Sequence, residues 1–397
     1  SLSSAIISSV AGLGASNLVT FSYAGSTYGF SLLWAVIIIA FLSVFILQIT
    51  AQIGLITRRG LISNIKENYG NVSALLVSSS IAITNQASVT AEIVGASVAL
   101  SIITGIQPVF WAPILSLLVC LFAIRDTLPM VRYILTGTSF IILFCLPAAI
   151  ISKPPINEVI RGFLSIRILR SKDYIVTLMA IIGTSITAYT LLFEASEAAQ
   201  KSGDFSKLVS EYIGAIIGAI IISLVNVAVL ITCASQLYPR GIRAETIEEI
   251  FSSLKSLIGG EIILPLVIGT LASAFLAAAV VAVSNFKLLD ELIEDIADLL
   301  RIRAAILSGW KIILASLTLL VAPFLLALGI SPLKLIIVAS AISFIFTPIP
   351  LIYLSLVFSK MQFPYDVRIG YIKLCCWIVT LMLSGFSFIG LFFSFFT

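Results

Sequence analysis

Apolar residues run through stretch after stretch of this chain long enough to cross a bilayer, and nothing else in the sequence constrains the fold as tightly. Taking about 20 residues per crossing, spans fall near 4–25, 29–57, 72–104, 108–124, 128–152, 174–201, 206–236, 261–289, 306–329, 331–358 and 368–396. Of the 397 residues 60% are hydrophobic and 11% charged, against roughly 45–50% and about 25% in a soluble domain, so a wetted surface cannot be built from them. Membrane β-strands would show short segments with a period of two; these runs are long and continuous. The sequence predicts an all-α polytopic membrane protein whose first partner is the lipid bilayer.

Composition then removes whole classes of chemistry. There is no histidine, which takes away the commonest transition-metal side chain and every Ser-His or Cys-His catalytic pair. Paired carboxylates and nucleophile–base constellations are absent as well, so an enzyme is not expected, and no motif calls for a cofactor. Cys120, Cys145, Cys233, Cys375 and Cys376 fall in apolar runs without CxxC spacing and read as small buried hydrophobes. The net charge of +4 is scattered, which excludes a nucleic-acid footprint. Residues from Ser1 show neither a basic leader nor a cleavage pattern before the first span, so a signal peptide is not expected. An N-terminus inside the cell puts Arg58, Arg59, Lys66 and Arg125 on the cytoplasmic side, as the positive-inside rule favours, although the outer loop at 153–173 is also basic. That loop and 237–260 are the places for short amphipathic helices; Ala244–Ile258 carries a helical polar and apolar rhythm.

Two spans break the apolar pattern at mid-membrane depth. One holds Gly12, Gly14, Ser16, Asn17 and Thr20; the other, five spans later, holds Gly183, Thr184, Ser185, Thr187, Tyr189 and Thr190. Polar backbone at that depth persists only where protein or water satisfies it. Matching interruptions in two halves point to an inverted-repeat transporter with discontinuous helices around a central site. The same small residues also suit tight helix packing seams. In the third span Asn85, Gln86, Thr90 and Glu92 stand together, and a carboxylate there costs about 2.5 kcal/mol or more unless paired or wet. Glu92 is thus either a structural contact or part of a cation or proton route. Glu194 and Glu197 follow the sixth-span break by one and two turns, on an inner exit path or at a solvated helix end. Asp290, Glu294 and Asp298 form an acidic stripe, a solvated face or a cation-gathering vestibule.

At these residues the chain resembles the Nramp divalent-metal transporters. The run from Ser16 through Tyr28-Gly29 to Leu32-Leu33-Trp34 is similar to that family's first-to-second span junction, Thr90–Ile106 to its third span, and Gly183–Ser196 to its sixth. The resemblance implies a LeuT-type fold of two inverted five-helix repeats plus an eleventh helix, with a cytoplasmic N-terminus. On this chain the repeats fall at about 1–152 and 174–358 and the extra helix at about 368–396, one transmembrane transporter domain over 1–397. The family's first-span Asp-Pro-Gly-Asn becomes Gly14-Ala15-Ser16-Asn17. Its sixth-span methionine becomes Thr187, the following proline Ala188, and its two histidines fall at Tyr189 and Glu194.

Neither a soft sulfur ligand nor a first-span carboxylate remains. Oxygen ligands suit Mg²⁺ or Ca²⁺ better than manganese or iron, and family members without the methionine that move magnesium keep an acidic first-span ligand. A bare divalent ion in a neutral cradle of Asn17, Thr20, Thr184, Thr187, Tyr189 and Thr190 would leave its desolvation uncompensated. The expectation is a secondary active transporter moving a cation by alternating access, with a hydrated divalent ion such as Mg²⁺ as the family-weighted cargo. Substrate-binding candidates are Gly14, Ser16, Asn17, Thr20, Thr184, Thr187, Tyr189 and Thr190, with Asn17 the one candidate metal ligand. Glu92, Glu194 and Glu197 are candidates for coupling or charge compensation. A monovalent cation, a non-metal solute and a non-transporting sensor or scaffold stand as rivals.

Overall fold

The computed structural model describes residues 13–125, 141, 143, 145–169, 171–200, 205–242, 246–300, 319–361 and 369–396. Among these the chain is helical wherever it is regular. After an extended pair at Leu13 and Gly14 come α1 (Ala15–Tyr28), a 3₁₀ turn (Gly29–Leu32), α2 (Leu33–Thr57), α3 (Leu61–Tyr69), α4 (Asn71–Thr104) and α5 (Pro108–Arg125). Then follow α6 (Cys145–Ile151), α7 (Ile156–Leu164), α8 (Lys172–Ser185), α9 (Ala188–Gln200), α10 (Phe205–Gln236), α11 (Ile247–Ile258) and α12 (Gly260–Leu300). The last three are α13 (Pro332–Phe346), α14 (Pro348–Lys360) and α15 (Ile369–Phe396).

The segments long and apolar enough to cross a membrane are Ala15–Thr57, Asn71–Thr104, Lys172–Ser196, Ile216–Arg240, Leu264–Phe286, Pro332–Lys360 and Gly370–Phe392, with Pro108–Phe122 a shorter one. Ala15–Thr57 contains the first two spans read from the sequence, joined by the 3₁₀ turn, where Gly29 adopts φ 59° as only glycine does without strain. The first half of span 4–25, most of 128–152 and most of 306–329 lie outside the described residues.

Large apolar side chains face outward, and a set of polar ones is buried within a largely apolar core. Phe41, Phe110, Leu117, Leu381 and Phe388 are exposed, whereas Asn17, Asn85, Glu92, Thr184 and Ser340 are buried. The innermost helices are α4 and α12, which pack on each other along their length, with α13 against both α4 and α8 and with α10 beside α1. Glycines set how close some of these pairs come. A Cβ at Gly183 would overlap the Ser340 carbonyl, so α8 and α13 touch backbone to backbone there.

Two short helices occupy the connections the sequence reserved for them. In α11, Ile247, Ile250, Phe251 and Leu254 are buried at helical spacing. Thr246 caps it reciprocally: its hydroxyl accepts from the Glu249 N–H (3.2 Å) and its N–H donates to the Glu249 carboxylate (3.3 Å). One expectation fails: Cys375 is exposed and Cys120 half-buried, because their helix faces look outward, while Cys145, Cys233 and Cys376 are buried. A further break was not anticipated. Span 331–358 divides at Thr347, because Pro348 has no N–H to give and its ring crowds the carbonyl four residues back.

Candidate functional site

Of the two predicted interruptions the sixth-span one is present, and for the first the described residues begin at Leu13, just before α1 starts. Helix α1 starts at Ala15, with Gly14 extended (φ −85°, ψ 174°) in the cap position. Helix α8 ends at Ser185, Ile186 is extended (φ −117°, ψ 90°), and α9 restarts at Ala188. The local cause of the second break is chemical. The Thr184 and Ser185 hydroxyls both donate to the Ile181 carbonyl (3.1 and 2.9 Å), competing with the ladder, and Thr190 donates from both its N–H and its hydroxyl to the Thr187 carbonyl (3.2 and 2.6 Å) to start the next helix.

Between the breaks lies a cavity lined by Ser16 and Asn17 of α1, Ser88, Ala91 and Glu92 of α4, Gly183 and Thr184 of α8, Thr187 in the break, and Tyr189 of α9. Ala277 and Val281 of α12 and Ser340 and Ser343 of α13 complete its wall. Its free volume of about 20 Å³ exceeds the roughly 10–15 Å³ that one water needs. The N-termini of α1 and α9 and the C-terminus of α8 all come to this cavity, so helix-end backbone groups lie beside the side-chain oxygens there, those of Ala15 and Ser16 taken up by Glu92.

Of the residues singled out in the sequence, the structure brings Ser16, Asn17, Thr184, Thr187, Tyr189 and Glu92 to one wall. Gly14 sits behind it: a Cβ there would overlap the Glu92 carboxylate. Thr20 is fully buried one turn further along α1, off the wall, with no hydrogen-bond partner for its hydroxyl. Thr190 is spent on starting α9. Glu194 lies half-buried on α9 away from the wall, while Glu197 on α9 and the acidic stripe of Asp290, Glu294 and Asp298 on α12 are described in backbone only.

Glu92 changes the electrostatics expected from the two broken spans alone. It is 5% exposed, and its carboxylate accepts the Ala15 N–H (2.7 Å), the Ser16 N–H (3.4 Å) and the Ser16 hydroxyl. The cavity is therefore not a neutral cradle. No cluster of three or more His, Cys, Asp or Glu stands among the described residues, so a cation here would meet one carboxylate and a majority of amide, hydroxyl and carbonyl oxygens.

Ser88, Ser340 and Ser343 escaped the sequence reading. The Ser343 hydroxyl donates to the Thr84 carbonyl (3.3 Å) and lies 3.4 Å from the Ser88 hydroxyl, joining α13 to α4. Their signal was available in hydroxyls three residues apart in an apolar span, next to Thr347-Pro348-Ile349-Pro350. It is faint, since serines bonding back to their own helix are common there.

A helical membrane protein of LeuT-type fold, with a polar chamber where discontinuous helices meet, is the class these features define. The chain belongs to the Nramp family: the model described as natural resistance-associated macrophage protein-like matches residues 5–393. It is similar to the divalent metal cation transporter MntH of Yersinia enterocolitica, 23% identical over 64% of this chain, and to that of Listeria welshimeri, 24% identical over 62%. The chain spans 64% and 57% of those relatives' own lengths, less than two thirds. Among solved structures, the Eremococcus coleocola manganese transporter bound to an aromatic bis-isothiourea compound matches with a TM-score of 0.73 at 16% identity, over 97% of this chain and 84% of that one. MhsT in complex with L-phenylalanine matches with a TM-score of 0.65 at 13% identity, over 98% of both chains.

Proposed function

We propose that this protein is a secondary active transporter that carries a metal cation across the membrane by alternating access. The observation that carries the reading is the polar chamber at the junction of α1, α8 and α9, lined by oxygen donors and one carboxylate. Asn17 and Thr187 give oxygen contacts to the ion, Thr184 and Ser16 extend the donor set, and Tyr189 walls the chamber. The relatives named as divalent metal cation and manganese transporters support a divalent cargo. Hard oxygen donors without thioether or thiolate favour Mg²⁺, still partly hydrated, over softer ions.

A free volume of about 20 Å³ holds a water or a small ion as the chamber stands. In this reading the two repeats, about 1–152 and 174–358, rock about the chamber, the extra helix at 368–396 stays outside the motion, and the N-terminus faces the cytoplasm of the cell that carries the protein in its membrane.

The test is flux into proteoliposomes across a panel of Mg²⁺, Mn²⁺ and monovalent cations. Uptake of at least one divalent ion is expected, and Asn17→Ala should cut it by about 10- to 100-fold, the cost of one lost charge-assisted contact. Absence of flux for every ion in a correctly folded preparation would refute the transport reading in favour of a sensor or scaffold.

A further inference from the structure

We propose that Glu92, reaching from α4 into the volume left open by Gly14, is the anionic ligand of the transported cation, so that the third span, not the first, supplies the carboxylate of this site. The inference rests on the transport reading above and assigns the charge on which its ion selectivity turns.

Gly14 and Glu92 contest one space. A Cβ at Gly14 would overlap the Glu92 Cδ and both carboxylate oxygens. The backbone does not require glycine there, since φ −85° and ψ 174° are open to any residue. The carboxylate fills the space a Cβ at position 14 would enter, and as the end of a flexible side chain it could turn aside for one. This chain puts the carboxylate beside the α1 N-terminus on residue 92.

The bonding of Glu92 leaves room for an ion. A carboxylate offers about four lone-pair sites. The Ala15 N–H takes one on Oε2, and the Ser16 N–H and hydroxyl take those of Oε1, so one remains on Oε2. Among the described residues no basic side chain pairs with Glu92. The α1 N-terminus returns about half a positive charge, which leaves part of a buried negative charge unopposed, a state that costs several kcal/mol unless a cation or a proton shares the site. The adjoining wall carries Asn17, Thr184 and Thr187 within the same chamber. An ion there would take one oxygen of Glu92 and fill its shell from neutral oxygens and water, an arrangement suited to a hard, partly hydrated cation.

The test uses the full chain purified in detergent, with binding of MgCl₂ and MnCl₂ followed by calorimetry and flux followed in proteoliposomes. Glu92→Gln keeps shape and removes charge, and is expected to weaken binding by at least about tenfold. Gly14→Asp combined with Glu92→Ala moves the carboxylate to the first span and should recover wild-type affinity to within about threefold. Where Glu92→Gln does not fold, Gly14→Ala replaces it, since its Cβ displaces the carboxylate without altering it.

Unchanged binding in Glu92→Gln overturns the inference while leaving transport intact, and makes Glu92 a cap for α1 or a proton site. Weakened binding in Glu92→Gln with no recovery in a folded double variant overturns it too. A wild-type protein that neither binds nor moves a cation fails the transport reading itself.

Discussion

Thr187 is where the donor chemistry of the chamber turns on one side chain. It stands in the break between α8 and α9, on the cavity wall, where the Nramp resemblance expects methionine. Thioether sulfur prefers softer, later transition metals and hydroxyl oxygen does not. Thr187→Met should raise the Mn²⁺ to Mg²⁺ uptake ratio by about tenfold, roughly the 1.4 kcal/mol that one soft contact supplies, as read by competition flux. Asn17, Thr184, Thr187 and Tyr189, which line the cavity, stood out in the sequence because polar groups at mid-membrane depth need a reason to be there. Thr20 and Thr190 carry the same signal, yet one is turned into helix packing and the other spent on restarting α9. Which face of a broken helix looks into a cavity is a rotational detail that composition does not encode.

At the scale of elements, small residues decide how closely helices approach. The Gly183 contact with the Ser340 carbonyl holds α8 on α13 and with it two walls of the chamber. Gly183→Val should push the pair apart and destabilise the fold by about 1–3 kcal/mol, seen as a lowered melting temperature in detergent together with loss of flux. The Thr246–Glu249 box is a contrasting case, since α11 is remote from the cavity wall. Thr246→Ala should cost about 1 kcal/mol of local stability. Amide exchange in α11 should quicken about fivefold while flux stays unchanged. The sequence announced α11 through its periodicity and the break between α8 and α9 through its polarity. It did not announce the bend at Thr347, because Pro348 and Pro350 sit in a run that otherwise satisfies every requirement of a span.

For the whole molecule the absence of histidine bears on coupling. Without it, a proton route through the chamber has only carboxylates such as Glu92 and Glu194 to use, and Glu92 is tied to α1 by three hydrogen bonds. Cation uptake should proceed with little or no proton movement. A pH dye trapped in proteoliposomes should report no lumen acidification during uptake, and a matching proton influx would contradict this.

Length and polarity along the chain settled that this is a helical membrane protein and that its sixth span is interrupted, because a bilayer forces each crossing to be long, apolar and internally hydrogen-bonded. Tertiary structure alone decided that the carboxylate of a third span lies beside the first helix break. Gly14 and Glu92 are 78 positions apart in the chain, and nothing local to either residue says that they share one volume. The packing of α4 against α1 puts them there, and so decides whether the chamber is neutral or charged.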